Sequence, residues 1–266
     1  MPIDDFHEQR QVALRSYVIG QSLIDFEQRY PGFQLSEITA LICAYEEEGN
    51  IAHVLSKLPT EVHGCRLSTV VVVDGGKDRT AEIARANPQV AVIEFPVNLG
   101  HGVALQVGYR FCVDRGSLYV VTLDADGQND PGEIPVIVEP LLSGQSDFVV
   151  ASRRLGVDTT SDDFRKWGVR FFSFVMNRMT GSRLTDTSNG FRAMKTSMLA
   201  DVVDRLQQQQ YQTAELLITS LKRGWRVSEV PTMWYERLSG ETKKGKNWRY
   251  GFRYGRVVFG TWWRER

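Results

Sequence analysis

The chain has 266 residues and a 42% hydrophobic content, enough for one large α/β domain or two small ones and too apolar for gross disorder. Lys plus Arg and Asp plus Glu both total 32, which excludes the global basic excess of a general nucleic-acid binder. Cys43, Cys65 and Cys112 lack the even count and close spacing of a disulfide framework or cysteine zinc site, and no apolar run approaches the roughly 18 residues that span a bilayer. With an acidic N-terminus in place of a secretory leader, the expected location is cytoplasmic.

In chain order, residues 5–30 read as a helix with Ala13, Leu14, Tyr17 and Ile24 near helical spacing, ended by Pro31 and Gly32. Segment 1–36 is expected to be a helical extension. From Ile38 short β-rich runs alternate with amphipathic stretches, which predicts an α/β fold with a mainly parallel central sheet flanked by helices. The strand candidates are 38–43, 69–73, 90–95, 118–123 and 148–151, and the helix candidates are 50–58, 80–86, 102–113 and 131–142. Beyond Ser152 a polar, flexible stretch at 156–163 precedes an aromatic-rich helix at 164–179, in which Phe171, Phe172, Phe174 and Val175 read as core. A loop at 181–190, helices at 197–207 and 214–223 and a strand near 225–230 complete the main body, expected to span 37–236 with a nucleotide half to about 135.

The last segment, 237–266, carries nine Lys/Arg against two Asp/Glu, together with Trp248, Tyr250, Phe252, Tyr254, Phe259, Trp262 and Trp263. Such a tail suits peripheral contact with an anionic membrane face, with Lys243, Lys244 and Lys246 as contributors; the alternative is a helix docked by its aromatics.

Open α/β sheets bind ligands beyond the carboxyl ends of their strands. Four strand exits carry polar residues: Tyr45, Glu46 and Glu47; Asp74; Asn98 to Gly102; and Asp124, Asp126 and Gln128. Any one group can be turn or cap chemistry, but the set points to a site. In the DADGQ run at 124–128, two carboxylates two residues apart suit one Mg²⁺ or Mn²⁺ whose other positions take phosphate oxygens and water.

The blocks AYEEEGNI (44–51), VDGGKDRT (73–80), NLGHG (98–102), DADGQ (124–128), DTSNGFR (186–192) and EVP (229–231) together resemble the family 2 glycosyltransferases, nearest the polyprenyl-phosphate mannosyl and glucosyl synthases. The resemblance implies a GT-A-type nucleotide-sugar-binding fold and an inverting transfer of a hexosyl group from a UDP- or GDP-sugar, with a polyprenyl phosphate as favoured acceptor. By position it implies that Ala44, Tyr45 and Glu47 border base and ribose, that Asp74 accepts from the base, and that Asp124, Asp126 and Gln128 surround the metal. Arg237 matches the arginine of a segment that folds over the diphosphate, with Thr242 where serine is usual; His101 and Val73 replace a common lysine and aspartate. Arg153, Arg170 and Ser173, with Asn177, match positions expected to hold an acceptor phosphate. Were the acceptor a hydroxyl of a soluble sugar or natural product, Asp186 or Glu215 would be the general base. A catalytically silent nucleotide-sugar binder is a further alternative, and a nucleotidyltransferase is disfavoured by the acidic run after the first strand.

Overall fold

The computed structural model describes residues 3–160, 163–239 and 247–266, with side chains for 10–160, 166–239 and 251–266. The long helix α1 (Ile3–Arg29) precedes β1 (Ile38–Ala44), α2 (Ile51–Ser56), β2 (Glu61–Val62), β3 (Cys65–Val73), α3 (Thr80–Arg85) and β4 (Val90–Glu94). Then follow α4 (His101–Asp114), β5 (Tyr119–Asp124), α5 (Ile134–Leu142), β6 (Phe148–Asp158) and α6 (Asp163–Thr180). The chain ends with β7 (Arg192–Lys195), α7 (Thr196–Val202), α8 (Gln212–Lys222), β8 (Val227–Trp234) and α9 (Asn247–Arg264).

The sheet runs β4-β3-β1-β5-β7-β6-β8, with β2 as a short antiparallel partner at the start of β3. Strands β4, β3, β1 and β5 are parallel, and their runs of Val, Ile and Ala are buried on both faces because helices cover both sides. The expected parallel sheet is therefore right for this half. It changes at β7, which is antiparallel to both β5 and β6 and absent from the sequence reading. Four residues carrying an arginine and a lysine are too short and too polar to register as a strand. Strand β6 also continues to Asp158, through most of the stretch expected to be flexible, because β8 pairs with it across a register shift between Ser152 and Val157. Strand β8 runs past Pro231, which an edge strand tolerates.

Helix α1 forms as expected but turns a different face inward. Leu14, Tyr17 and Ile24 are exposed, while Val18, Ser22 and Phe26 are buried one turn apart. Phe26 decides this: its ring meets Phe111 of α4 at 4.9 Å, and the Arg115 guanidinium lies over both rings. The C-terminal half of this helix is thus part of the core on the α4 side of the sheet. In α6, Phe171 and Phe174 are exposed, contrary to the reading that made them core. At about 100° per residue they lie opposite Ser173 and Met176, which are the buried positions. Helix α9 docks through Tyr254, Val257, Val258 and Thr261, and Trp262 donates its indole N–H to the Met179 carbonyl at 2.8 Å. Gly240, Thr242, Lys243, Lys244 and Lys246, and the side chains of Trp248 and Tyr250, lie outside the described residues. Among the described residues no helix is long and apolar enough to cross a membrane.

Candidate active site

Strands β3, β1 and β5 are neighbours, so their exits lie side by side: Ala44 pairs with Val73 and Cys43 with Asp124. The turn after β1 places Glu46 at φ 52°, a left-handed conformation that non-glycine residues adopt sparingly. Three further bonds hold this turn. The Glu47 N–H donates to Thr80 Oγ1 at 2.7 Å, the Glu48 N–H to Asp78 at 3.0 Å, and Asn50 donates to the Glu47 carboxylate at 2.7 Å.

Asp74 is 3% exposed and accepts the N–H groups of Leu99 and Gly100 at 2.7 and 2.9 Å, one on each oxygen. Burial pushes its carboxyl up to about 6, with those two N–H groups pulling it down. The close approach needs Gly75, whose φ is 70° and whose added Cβ would stand 2.6 Å from the Asn98 nitrogen. Asp74 therefore organises the loop before α4.

Past β5, Asp124 and Asp126 lie half-buried on either side of the buried Ala125. A Cβ on Gly190 would stand 3.2 Å from Asp124 Oδ2, so the loop before β7 borders this carboxylate. Asp126 accepts the Gln128 N–H at 3.1 Å, and Gln128 in turn donates its amide to the Tyr235 carbonyl at 3.3 Å. The chain leaving β8 closes over these exits. Arg237 bonds Glu47 through Nη2 and lies 3.8 Å from Asp126 through Nη1. Ser239 exchanges hydrogen bonds with Asn50 at 2.8 and 3.2 Å, and Leu238 packs where Gly127 leaves no side chain. Among the described residues no three His, Cys, Asp or Glu side chains are grouped to hold a metal ion.

A second assembly lies beside Asp124. Asp186 is fully buried and takes a two-pronged bond from Arg153, Nε to Oδ2 at 2.6 Å and Nη2 to Oδ1 at 2.8 Å. Burial pushes the Asp186 carboxyl up, but the Arg153 charge and its hydrogen bonds outweigh that and leave it below the usual carboxylate range. Arg153 also bonds Ser188 at 2.7 Å and stacks over the Trp234 ring at 4.8 Å. Ser173 accepts the Thr187 N–H, and Asn177 holds Leu184 on both sides, so α6 anchors the same loop.

The model for "Glycosyl transferase family 2" matches residues 39–203, which include β1 to β7 and the acidic exits above. The chain belongs to that family. Dolichyl-phosphate hexose transferase of Haloferax volcanii is 30% identical over 211 residues, covering 79% of this chain and 88% of the relative. UDP-N-acetylglucosamine–dolichyl-phosphate N-acetylglucosaminyltransferase of Methanococcus voltae is 28% identical, covering 73% and 84%. Undecaprenyl-phosphate mannosyltransferase of Micrococcus luteus is 28% identical, covering 77% and 86%. In fold, the chain is similar to glucosyl-3-phosphoglycerate synthase of Mycobacterium tuberculosis solved with Mn²⁺, UDP and glucosyl-3-phosphoglycerate. That likeness has a TM-score of 0.63 at 19% identity and covers 93% of this chain and 83% of that one, which identifies the GT-A-type fold.

In this family 2 glycosyltransferase the structure brings Glu47, Asp126 and Arg237 together, with Ala44, Tyr45, Asp74, Asp124 and Gln128 along the same sheet edge. It does not bring Glu215 there. That carboxylate is fully buried on α8, accepts the N–H groups of Gln207 and Gln208 at 3.0 and 2.9 Å, and pairs with Arg264 at 2.9 Å. Arg170 is exposed on α6, apart from the buried Ser173 with which it was grouped. Two residues of the site region had no expected role. Arg192, fully buried, donates to the carbonyls of Asn189 at 2.6 Å, Thr187 at 2.9 Å and Thr213. Glu229 accepts the N–H groups of Thr185 and Asp186 at 2.6 and 2.7 Å, and burial raises its carboxyl against those bonds. Both lie in the quoted DTSNGFR and EVP blocks, and that position was the available signal.

Proposed function

We propose that this glycosyltransferase moves a hexosyl group from a UDP- or GDP-sugar to a polyprenyl phosphate, with inversion at the anomeric carbon and with Mg²⁺ or Mn²⁺ bound. The observation that carries this reading is the closure of Arg237 over Glu47 and Asp126 at the strand exits. A guanidinium there is placed to meet the negative charge that builds on a departing diphosphate. The donor set beside it fits a hard divalent cation, since Asp124, Asp126 and the Gln128 amide offer only oxygen, and two carboxylates leave positions for diphosphate and water. When bound, such an ion neutralises charge on the diphosphate oxygens.

Glu47 and Tyr45 form the wall along which the nucleoside lies, while Asp74 acts on that wall by holding Leu99 and Gly100. An acceptor phosphate oxygen attacks C1 as the bond from C1 to the diphosphate oxygen breaks and its electron pair leaves with the nucleotide. No proton has to move, because a phosphate monoester is already anionic at neutral pH. This agrees with the two carboxylates considered as bases for a hydroxyl acceptor: Asp186 is spent on Arg153 and Glu215 on Arg264 and two backbone N–H groups. Arg170, exposed on the same helix that carries the buried Ser173, is the cation we assign to the acceptor phosphate. Arg153 and Arg192 position the loop between them and Asp124.

The relatives named for dolichyl- and undecaprenyl-phosphate transfer support the acceptor class, and the Mn²⁺ and UDP in the structural neighbour support donor and metal. The test is a thermal-shift screen of UDP- and GDP-sugars with and without Mn²⁺, followed by transfer assays with a short-chain prenyl phosphate, a phosphorylated small acid and neutral sugars. Metal-dependent donor binding and product only with the prenyl phosphate is expected. Transfer to a neutral sugar alone overturns the acceptor assignment, and donor binding indifferent to chelator overturns the metal.

A further inference from the structure

Glu133 ends the turn Pro131–Glu133 that leads from the DADGQ run into α5. An acid at the start of a helix has an ordinary explanation, since it meets the positive end of the helix dipole. Its contacts point elsewhere. The Gly132 N–H of the turn is taken by Asp130 at 3.0 Å, while the half-buried Glu133 carboxylate reaches across to β8, 100 residues along the chain. There it accepts the Met233 N–H on both oxygens, at 3.0 and 3.2 Å, and the hydroxyl of the buried Thr232.

These bonds belong to a short zipper between residues 128–133 and 232–235. Asn129 and Trp234 are antiparallel bridge partners, the Tyr235 N–H donates to the Gln128 carbonyl at 2.9 Å, and the Gln128 amide donates to the Tyr235 carbonyl at 3.3 Å. The opposite side of the same strand end is fixed by β6 and the residue after it. Thr159 donates both its N–H and its hydroxyl to the Trp234 carbonyl at 3.0 Å, and a Cβ on Gly156 would stand 2.1 Å from the Thr232 carbonyl oxygen. Arg237 follows Tyr235 by two residues, and Asp126 precedes Gln128 by two. The zipper therefore joins the chain at the root of both side chains whose 3.8 Å approach closes the site. The contacts of Leu238 and Ser239 hold the segment beyond Arg237; the zipper holds it on the side before.

We infer that Glu133 is a positioning residue: it locks the end of β8 to the loop bearing Asp126 and Gln128 and so sets where Arg237 stands relative to them. The inference rests on the reading of Arg237 and Asp126 as groups that meet the departing diphosphate. Stabilisation of that kind needs its charges fixed before the bond breaks, and a displacement of about 1 Å can cost about 10²-fold in rate. Because Glu133 acts through Arg237, its effect disappears where Arg237 is absent. Reach matters here and charge does not. A glutamine oxygen accepts the Met233 N–H and its amide donates to the Thr232 hydroxyl, whereas an aspartate keeps the charge but falls one methylene short.

The experiment compares Glu133→Asp with Glu133→Gln in the full chain, by steady-state transfer kinetics with Mn²⁺ and by hydrogen exchange read by mass spectrometry on the protein without donor or metal. Glu133→Asp should lose about ten-fold in kcat with the donor KM within about three-fold of wild type, and residues 127–130 and 234–239 should exchange faster together. Glu133→Gln should stay within about three-fold of wild type in kcat and keep the wild-type exchange pattern. An acid that served only the helix dipole would give the reverse order, with Glu133→Gln impaired and exchange raised only at the start of α5; that result overturns the proposal. The double variant Glu133→Asp/Arg237→Ala should be no slower than Arg237→Ala alone. Losses that multiply, to about 10³-fold in total, show that Glu133 acts by another route and overturn it too. Turnover of Arg237→Ala at the wild-type rate refutes the leaving-group reading itself, and the exchange comparison then still decides whether Glu133 locks the two segments together.

Discussion

Arg237 and Asp126 stand 3.8 Å apart, Nη1 to Oδ2, while the other terminal nitrogen of the same guanidinium bonds Glu47. One side chain from beyond the last strand thus joins the exits of β1 and β5, which are 79 residues apart in the chain. The segment carrying Arg237 is in place over the sheet edge before any donor is considered, held by Ser239 on Asn50 and by Leu238 on Gly127.

Asp126→Ala should abolish metal-dependent transfer, a loss of about 10³-fold or more in kcat, because charge on the leaving diphosphate goes unmet. Its side chain lies in a half-buried turn, so the far-ultraviolet circular dichroism should not change. Wild-type turnover by this variant in excess chelator would remove the carboxylate from the mechanism.

Arg237→Lys is expected to recover little of what Arg237→Ala loses. A lysine supplies one point charge where the guanidinium reaches both Glu47 and Asp126, so both variants should fall about 10²-fold in kcat with smaller changes in donor affinity. Steady-state kinetics with varied donor separates the two effects; a purely KM defect in Arg237→Ala contradicts the leaving-group role.

Asp186→Asn leaves the buried Arg153 without its counter-charge and should cost about 3–5 kcal/mol. The sign with pH follows from the lowered carboxyl. Its stabilisation is complete above the unfolded-state value of about 4 and is lost as pH falls through the lower folded value. Asp147, held low by hydrogen bonds from Arg226 and Lys195, adds a contribution of the same sign. Urea melts at pH 7 and at about pH 3 should therefore differ less in Asp186→Asn than in wild type, and an equal difference contradicts the assignment.

Asp74 works the other way. Raised to about 6 by burial, it binds its proton more tightly in the folded protein than in the unfolded chain, so its contribution to stability falls as pH rises from about 4 through 6. A carbon-detected titration should show one aspartate with a midpoint near 6, missing from Asp74→Asn. A spectrum with every aspartate near 4 refutes the environment described for it.

Glu215→Gln discriminates support from catalysis. Losing the ion pair with Arg264 and weakening the bonds to Gln207 and Gln208 should lower the melting temperature by several degrees, while kcat with a prenyl-phosphate acceptor changes by only a few-fold. A hundred-fold fall in kcat at unchanged stability would restore it as a base.

The residues that sequence reading placed well are those whose chemistry is local. Strands β1, β3, β4 and β5 and the start of β6 announce themselves by short β-branched runs, and Asp74, Asp124 and Asp126 sit where two of those runs end, so their meeting follows from a parallel sheet alone. Side chains whose partners lie far along the chain were not legible. Arg153 and Asp186 are 33 residues apart, and Glu215 and Arg264 are 49; nothing nearby in sequence says that either carboxylate is already paired.

Facing was the other blind spot. Leu14 and Tyr17 on α1 and Phe171 and Phe174 on α6 are apolar at helical spacing, yet the opposite sides of those helices meet the core. Periodicity establishes that a helix has an apolar stripe; which stripe is buried depends on a neighbour such as Phe111 or Tyr254. The order of polar groups along the sheet edge was thus written in the chain itself, because strand exits in a parallel sheet are adjacent by construction. The fate of the buried charges and the outward aromatic face were decided only in three dimensions, because burial and ion pairing are properties of contacts between distant segments.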